Sequence, residues 1–287
     1  MRDLGYYNKL FDFYISNIIY NVLNKKELNE VISEIKSNHG LKSRPKDEIE
    51  IFLINAFFRK EIKDDFFLYS FRDRKIDILD ISSTASRTAF FSYQTALYIH
   101  ELSDKLTLNV YLNKERAESK TSTFSILGQD ALDAAFNKEP RMSKNQKKYG
   151  QYHITLLSGQ FHNGLGIIDF RKNYLVSDLE RTLIDCVVRP FYSGGAEVIL
   201  KAFKNAKGRL DVTKLFKYFS EMNFIYPYHQ VLGFYLEKAG YAFEDYKTFC
   251  EFGNELKFYL DYNIQNKAYS SEWNLYYPKE IEEFFER

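Results

Sequence analysis

Apolar residues recur at helical spacing from Tyr6 to Leu23. Leu10, Phe11, Phe13, Tyr14, Ile18 and Val22 fall on one side, which predicts a first amphipathic helix ended by Asn24. A second stripe, Leu28, Val31, Ile32 and Ile35, predicts a helix from about Lys26 to Ser37, and Asn38-His39-Gly40 predicts its C-cap and turn. A third helix follows Pro45. Its stripe is Ile49, Phe52, Leu53, Ala56 and Phe57, and Asp47, Glu48 and Glu50 occupy the first turn, where the helix dipole favours acids. Glu61 to Phe71, with Lys63-Asp64-Asp65 between short aromatic stretches, predicts a strand and a small hairpin. Three helices and then a hairpin is the element order of a winged helix.

The pattern then changes. Ile76 to Ser86 is a mixed connector, and Ser92 is placed to cap a helix within Phe90 to Leu102. Thr107 to Leu112 alternates like a strand, Lys114 to Lys120 is a charged turn, Thr123 to Leu127 predicts a second strand, and Gln129 to Phe136 predicts a helix. A basic exposed loop, Arg141 to Lys148, precedes strands at Tyr152 to Leu157 and Leu165 to Ile168. Helices are predicted near 178–188, 195–205, 211–221 and 225–239, and Glu244 to Tyr262 reads as a further helical stretch. The predicted class is α+β: a winged-helix-like domain over 1–76, then a mixed α/β domain over 77–287 with a small sheet and a helical C-terminal half.

A hydrophobic content of 45% over 287 residues is enough for a packed core. The run from Ile49 to Phe58 is interrupted by Glu50 and Asn55 and falls far short of the roughly 20 apolar residues that cross a bilayer, so no membrane partner is expected. The N-terminus carries Asp3 and lacks an apolar signal core, which predicts a cytoplasmic protein. Cys186 and Cys250 have no second Cys or His at ligand spacing and read as small apolar residues. A net charge of +1 supplies no global field toward nucleic acid, so any DNA contact must be local.

Constellations for catalysis are sparse. Gly159, Gly164 and Gly166 lie between two strands without the Lys-Ser/Thr of a phosphate loop, and none of the five histidines, among them His100, has a short metal-binding spacing. Asp178, Glu180 and Asp185 could together hold a divalent metal, but Ser177-x-x-Glu180 has the pattern of a capping box. Asp178 suits the same helix start, and Asp185 can pair with Arg181 four residues earlier. No catalytic group, metal or cofactor is therefore expected, and the chain reads as a non-enzyme.

The capped segment VSDLERTLIDCVVRP, followed by Gly194-Gly195 and the helix EVILKAFKNA, resembles the signature of the AbiEi antitoxin family. FSYQTALYIHELSD, Phe91 to Asp104, is similar to a second family segment through Ser92, Ala96, Leu97, His100 and Leu102. Leu210 to Gly240 is similar to the family's closing helices. The residues that carry the resemblance in the first motif are Ser177, Asp178, Glu180, Arg181, Thr182, Asp185, Pro190, Gly194 and Gly195. The resemblance implies an antitoxin of a bacterial type IV abortive-infection pair, active in phage defence. Its partners would be a cognate nucleotidyltransferase-like toxin, contacted or opposed, and operator DNA upstream of its own operon.

The third helix departs from what DNA readout needs. It opens Lys46-Asp47-Glu48 and continues almost wholly apolar, whereas a recognition helix offers polar and basic side chains. The cations available instead are Lys42, Arg44 and Lys46 before it, Arg59, Lys60 and Lys63 at its end, and Arg72, Arg74 and Lys75 after the hairpin. They suit backbone contact through a turn and wing, or equally a solvated face. The alternative is a regulator acting through protein contacts with a winged helix that no longer binds DNA.

Overall fold

The computed structural model describes residues 4–38, 41–118, 127–171 and 173–285. His39 and Gly40 of the turn read from the sequence, and most of the strand read at Thr123 to Leu127, lie outside them. The architecture is α+β with small sheets and a helical C-terminal half. Two compact units divide the chain. The smaller comprises Met1–Thr88, Gln146–Ile154 and Arg171–Tyr174, and the larger comprises Ala89–Asn145, Thr155–Phe170 and Leu175–Arg287. The sequence-based division at 76/77 differs by the helix that follows it and by two later segments that belong with the N-terminal unit.

The smaller unit runs α1 (Asn8–Ser16), β1 (Val22–Asn24), α2 (Lys25–Asn38), α3 (Lys46–Ala56), β2 (Phe58–Lys63), β3 (Phe66–Phe71) and α4 (Ile78–Ser83). Its first helix is shorter than the apolar spacing predicts. Ser16 and Asn17 turn their side chains back onto the Phe13 carbonyl, at 2.9 and 2.7 Å, and so compete with helix continuation. The chain beyond them forms β1, which pairs antiparallel with β3, itself paired with β2 in the order β1-β3-β2. Phe11, Leu28, Ile32, Ile35, Ile49, Leu53, Phe58 and Tyr69 form the core, so the predicted stripes face inward in large part, whereas Phe13 of the first is 62% exposed and Ala56 of the third is exposed too. The segment read as a connector is instead helical at α4, because Asp77 and Asp80 make a reciprocal capping box.

In the larger unit β4 (Phe90–Phe91), α5 (Tyr93–Ile99), β5 (Asn109–Glu115) and α6 (Gln129–Phe136) come first. Next are β6 (Gln146–Tyr149), assigned to the smaller unit, β7 (Tyr152–Gly159), β8 (Ile167–Phe170) and β9 (Tyr174–Ser177). The order β7-β5-β4-β9-β8 mixes directions: β4 is antiparallel to β5 and parallel to β9. The helical half is α7 (Leu179–Val188), α8 (Ala196–Asn205), α9 (Val212–Met222), α10 (Tyr228–Lys238) and α11 (Phe243–Cys250). The helix predicted over 244–262 stops at Cys250. Gly253, with φ +79°, turns the chain, and β10 (Phe258–Tyr259) then pairs with β12 (Leu275–Pro278), beside β11 (Lys267–Ser270). Cys186 is buried in this core, where burial pushes its thiol far up and leaves it inert; Cys250 is half-buried.

Candidate functional site

The segment that carries the family resemblance is built where β9 runs into α7. Ser177, the last residue of β9, is fully buried, and its hydroxyl lies 2.7 Å from the Thr182 hydroxyl. The N-cap is therefore Asp178, whose Oδ1 accepts from the Arg181 amide at 2.9 Å. The predicted Ser177/Glu180 capping box does not form. Glu180 turns away to Lys214 Nζ at 2.7 Å and the Asp211 amide at 3.1 Å, while Lys214 also reaches Asp178 at 2.9 Å. Both carboxylates hold the Lys214 ammonium protonated well above its ordinary range, against the cost of burial.

Arg181 is 1% exposed and makes the predicted pair with Asp185, Nε to Oδ1, at 2.9 Å. Its Nη1 donates to the Leu165 carbonyl at 2.8 Å, and Glu115 stands at 3.4 Å. Burial raises the Asp185 carboxyl, with Arg181 opposing. Asp178 and Glu180 are thus committed to Lys214, and Asp185 to Arg181 through Oδ1, its Oδ2 having no hydrogen-bond partner among the described residues. Among the described residues no group of three His, Cys, Asp or Glu is placed to hold a metal.

The two main resembling segments meet in space. α5 packs on α7, with Ala96 and Leu97 buried, and His100 donates from Nε2 to the Ser177 carbonyl at 2.6 Å. Ser92 stands at the α5 cap position, but its hydroxyl caps nothing, and the next residue, Tyr93, is left-handed at φ +54°. That backbone departure turns the helix start away from capping geometry. Pro190 opens a single 3₁₀ turn, Pro190–Tyr192. Gly194 and Gly195, at φ +89° and +84°, carry the chain into α8, and a Cβ at Gly194 would stand 2.9 Å from Val198 Cγ2.

A cavity of about 600 Å³ opens beside the C-terminal half of α7, with Asp185 and Arg189 on its wall. No sequence signal marked it, because its lining comes from separate stretches between Tyr93 and Tyr262. His162, on the same wall, has its pKa lowered to about 4 by burial and by Arg181, so it is neutral at neutral pH. Next to Tyr262, which also lines the cavity, Asp261 is raised to about 6 by burial although its Oδ1 accepts from the Tyr262 amide. An unfolded carboxyl ionises near pH 4, so this acid costs stability as pH rises from about 4 to 6 and throughout the range above. Asp261→Asn keeps the acceptor and removes that cost. Thermal melts are expected to show a gain of about 1–2 kcal/mol at pH 7.5 and none at pH 4; equal gains at both would rule the charge out as the cause.

In the smaller unit the candidate DNA-contacting cations fall into two sets. Arg44 is paired with Glu48 at 2.5 Å, Arg74 donates to the Ile18 and Tyr20 carbonyls at 2.9 and 3.1 Å, and Arg72 donates to the Ile54 carbonyl at 3.2 Å. Those three hold the fold. Lys42, Lys46, Arg59 and Lys75 are exposed and form no ion pair among the described residues. Lys60 and Lys63, exposed on β2, lie over the rings of Phe67 and Tyr149 at 5.0 and 4.7 Å. What the sequence did not reveal is that β6 joins this surface. The Lys148 and Gly150 amides donate to Asp65 and Asp64 at the β2–β3 tip, both at 2.6 Å, and Lys147 lies 5.4 Å over the Phe66 ring. The exposed carboxylates of the hairpin accept from backbone amides and keep their charge, and Lys147 and Lys148 add to the cations of β2.

Neither a family model nor a curated protein matches the chain. Among solved structures it is similar to the RV2827C protein from Mycobacterium tuberculosis. The TM-score is 0.59 at 9% sequence identity, over 96% of this chain and 92% of that chain. At that identity the likeness shows a common fold.

Proposed function

We propose that the chain is a non-catalytic regulator of the AbiEi antitoxin class. Its smaller unit would act as a winged helix that grips operator DNA through the wing, and its larger unit would counter a nucleotidyltransferase-like toxin. The observation that carries the DNA half is the cluster of exposed cations around the β2–β3 hairpin and β6, with Arg59, Lys63 and Lys147 toward the Phe66 face, Lys60 on the Phe67 face, and Lys148 beside them. The order of helices and the β1-β3-β2 sheet support the same reading. So does the convergence of the two resembling segments at α5 and α7. Because α3 starts with Asp47 and Glu48, phosphate contact by these cations is expected to supply most of the affinity, with a smaller added preference for the operator over random DNA.

Gel shifts on a fragment from the chain's own promoter should weaken steeply between 50 and 200 mM salt, by roughly 0.9 log units per log unit of salt for each phosphate neutralised. Replacing Lys60, Lys63, Lys147 and Lys148 together by alanine is expected to cut affinity about a hundredfold and flatten the salt slope by up to about 3.6. A shift no stronger than on random DNA would remove the repressor role. Failure to relieve toxicity on co-expression with the neighbouring toxin gene would remove the antitoxin role.

A reading through protein contacts is favoured by one observation. Ile51 on α3 and Ile62 on β2 are 59% and 66% exposed, and apolar side chains there suit a protein surface better than a phosphate backbone. Under that reading the lysine quadruple variant keeps full activity and Ile51→Asp together with Ile62→Asp abolishes it.

A further inference from the structure

The cavity beside α7 has no part in the function just proposed. Its volume of about 600 Å³ is in the range of small-molecule sites. Two side chains on its wall are more than nine-tenths buried and each carries an acceptor with no hydrogen-bond partner, Asp185 Oδ2 and Asn113 Oδ1. Native proteins rarely leave such atoms unpaired, and a ligand that donates to them is one reason to keep them. Gly159 packs against the Asn113 amide, and a Cβ there would sit 2.8 Å from its Nδ2 and 2.9 Å from its Oδ1.

The charge of the wall is one-sided. Arg116, Arg141, Arg181 and Arg189 line the space, and Asp185 is the one acid among the described lining residues. Arg181 is spent on Asp185 and the Leu165 carbonyl, whereas Arg116, Arg141 and Arg189 form no ion pair among the described residues. Rings supply a large part of the remaining wall, Tyr93, Phe191, Tyr192, Tyr226 and Tyr262 among them, beside aliphatic residues such as Met222 and Ile225. Tyr93 is held at φ +54° although buried, a strained backbone of the kind that packed ligand sites maintain.

An inorganic anion would satisfy the arginines and leave the ring-lined wall empty. A neutral aromatic would fill the ring-lined wall and leave the guanidinium groups without a counter-charge. The three features together ask for a flat ring, at least two N–H donors on its edge, and an anionic group. We propose that this cavity binds a free mononucleotide whose base bears an exocyclic amino group. The base lies against the tyrosines and donates to Asp185 and Asn113, and its phosphate meets Arg189 and the two arginines nearer the solvent. This inference stands apart from the DNA and toxin readings, and either can fail without the other.

The test is calorimetric titration of the full chain with AMP, CMP, GMP, UMP and inorganic phosphate. At least one of the three amino-bearing nucleotides is expected to bind with a Kd of about 100 μM or tighter, and UMP, with a single ring N–H, at least about tenfold more weakly. Phosphate alone is expected to give a Kd above about 1 mM. Asp185→Asn can unsettle Arg181, so the exposed Arg116→Ala and half-buried Arg189→Ala serve as second variants, each weakening binding about tenfold with an unchanged melting temperature. No binding by any nucleotide at millimolar concentration, UMP or phosphate binding as tightly as the best of the three, or affinity unmoved by both arginine variants would each overturn the proposal.

Discussion

Replacing Arg181 by alanine is expected to lower the unfolding free energy by about 3–5 kcal/mol, the largest loss from any single change to the α7 motif. The guanidinium is 1% exposed and serves three acceptors on separate elements: Asp185 one turn along α7, the Leu165 carbonyl, and Glu115 at the end of β5. Burial works against its charge, yet Asp185 and Glu115 outweigh that cost and raise its pKa. Removing it strands Asp185, which is 6% exposed with one oxygen already unpaired, and leaves Glu115 only the amides of His162 and Gly164 among the described residues. Desolvation without compensation is what makes a broken buried pair expensive, far beyond the ~1 kcal/mol of an exposed pair such as Lys201–Glu197. Urea unfolding followed by circular dichroism measures the loss. The double variant Arg181→Met, Asp185→Leu replaces charge by apolar volume and should recover most of it. Recovery absent from the double variant, or a single-variant loss below about 1 kcal/mol, would show that the pair is not what holds α7.

The Arg181–Asp185 pair was legible in the sequence because it is local, four residues apart on one helix. The stripes of α2 and α3, the span of α6 and the helices α7 to α10 were legible for the same reason: periodicity is a short-range signal. What failed was decided at longer range or by competition over a cap. Ser177 looks like an N-cap three residues before Glu180, but as the end of a buried strand it bonds Thr182, and Lys214 on α9 draws Glu180 away. Val22 fits the face of a continued helix, yet pairing with Ser70 places it in a sheet. Phe258 and Tyr259 are a short apolar run whose strand identity depends on Leu275 and Tyr276. The candidate DNA cluster was half visible. Lys60 and Lys63 stood in the sequence as wing cations, whereas Lys147 and Lys148 read as a separate loop until the amides of β6 are seen bonding Asp64 and Asp65. The cavity was invisible, since no two of the elements that wall it announce each other in one dimension.

Gly233→Ala sets two known effects against each other, and their magnitudes decide the outcome. Gly233 lies inside α10, where alanine is favoured by about 1 kcal/mol on helix propensity. A Cβ built there would stand 2.0 Å from the Cη2 atom of Trp273 and 2.1 Å from Cζ3, far inside contact distance. Relief requires the indole to move. Trp273 is fully buried, and its Nε1 donates to Glu237 Oε2 at 2.6 Å, so the ring is pinned from the same helix that would push it. Overpacking of a close-fitting core costs about 1–3 kcal/mol, and a rigid ring held at its far end puts this position above that range. A net destabilisation of about 2–4 kcal/mol is expected once propensity is subtracted. Trp273 is the single tryptophan of the chain, so its fluorescence reports on the contact directly. Displacement from the core should move its emission to the red in the folded variant, alongside the lowered unfolding midpoint. A variant about 1 kcal/mol more stable with unchanged emission would mean that propensity alone acts and that Trp273 does not pack on α10.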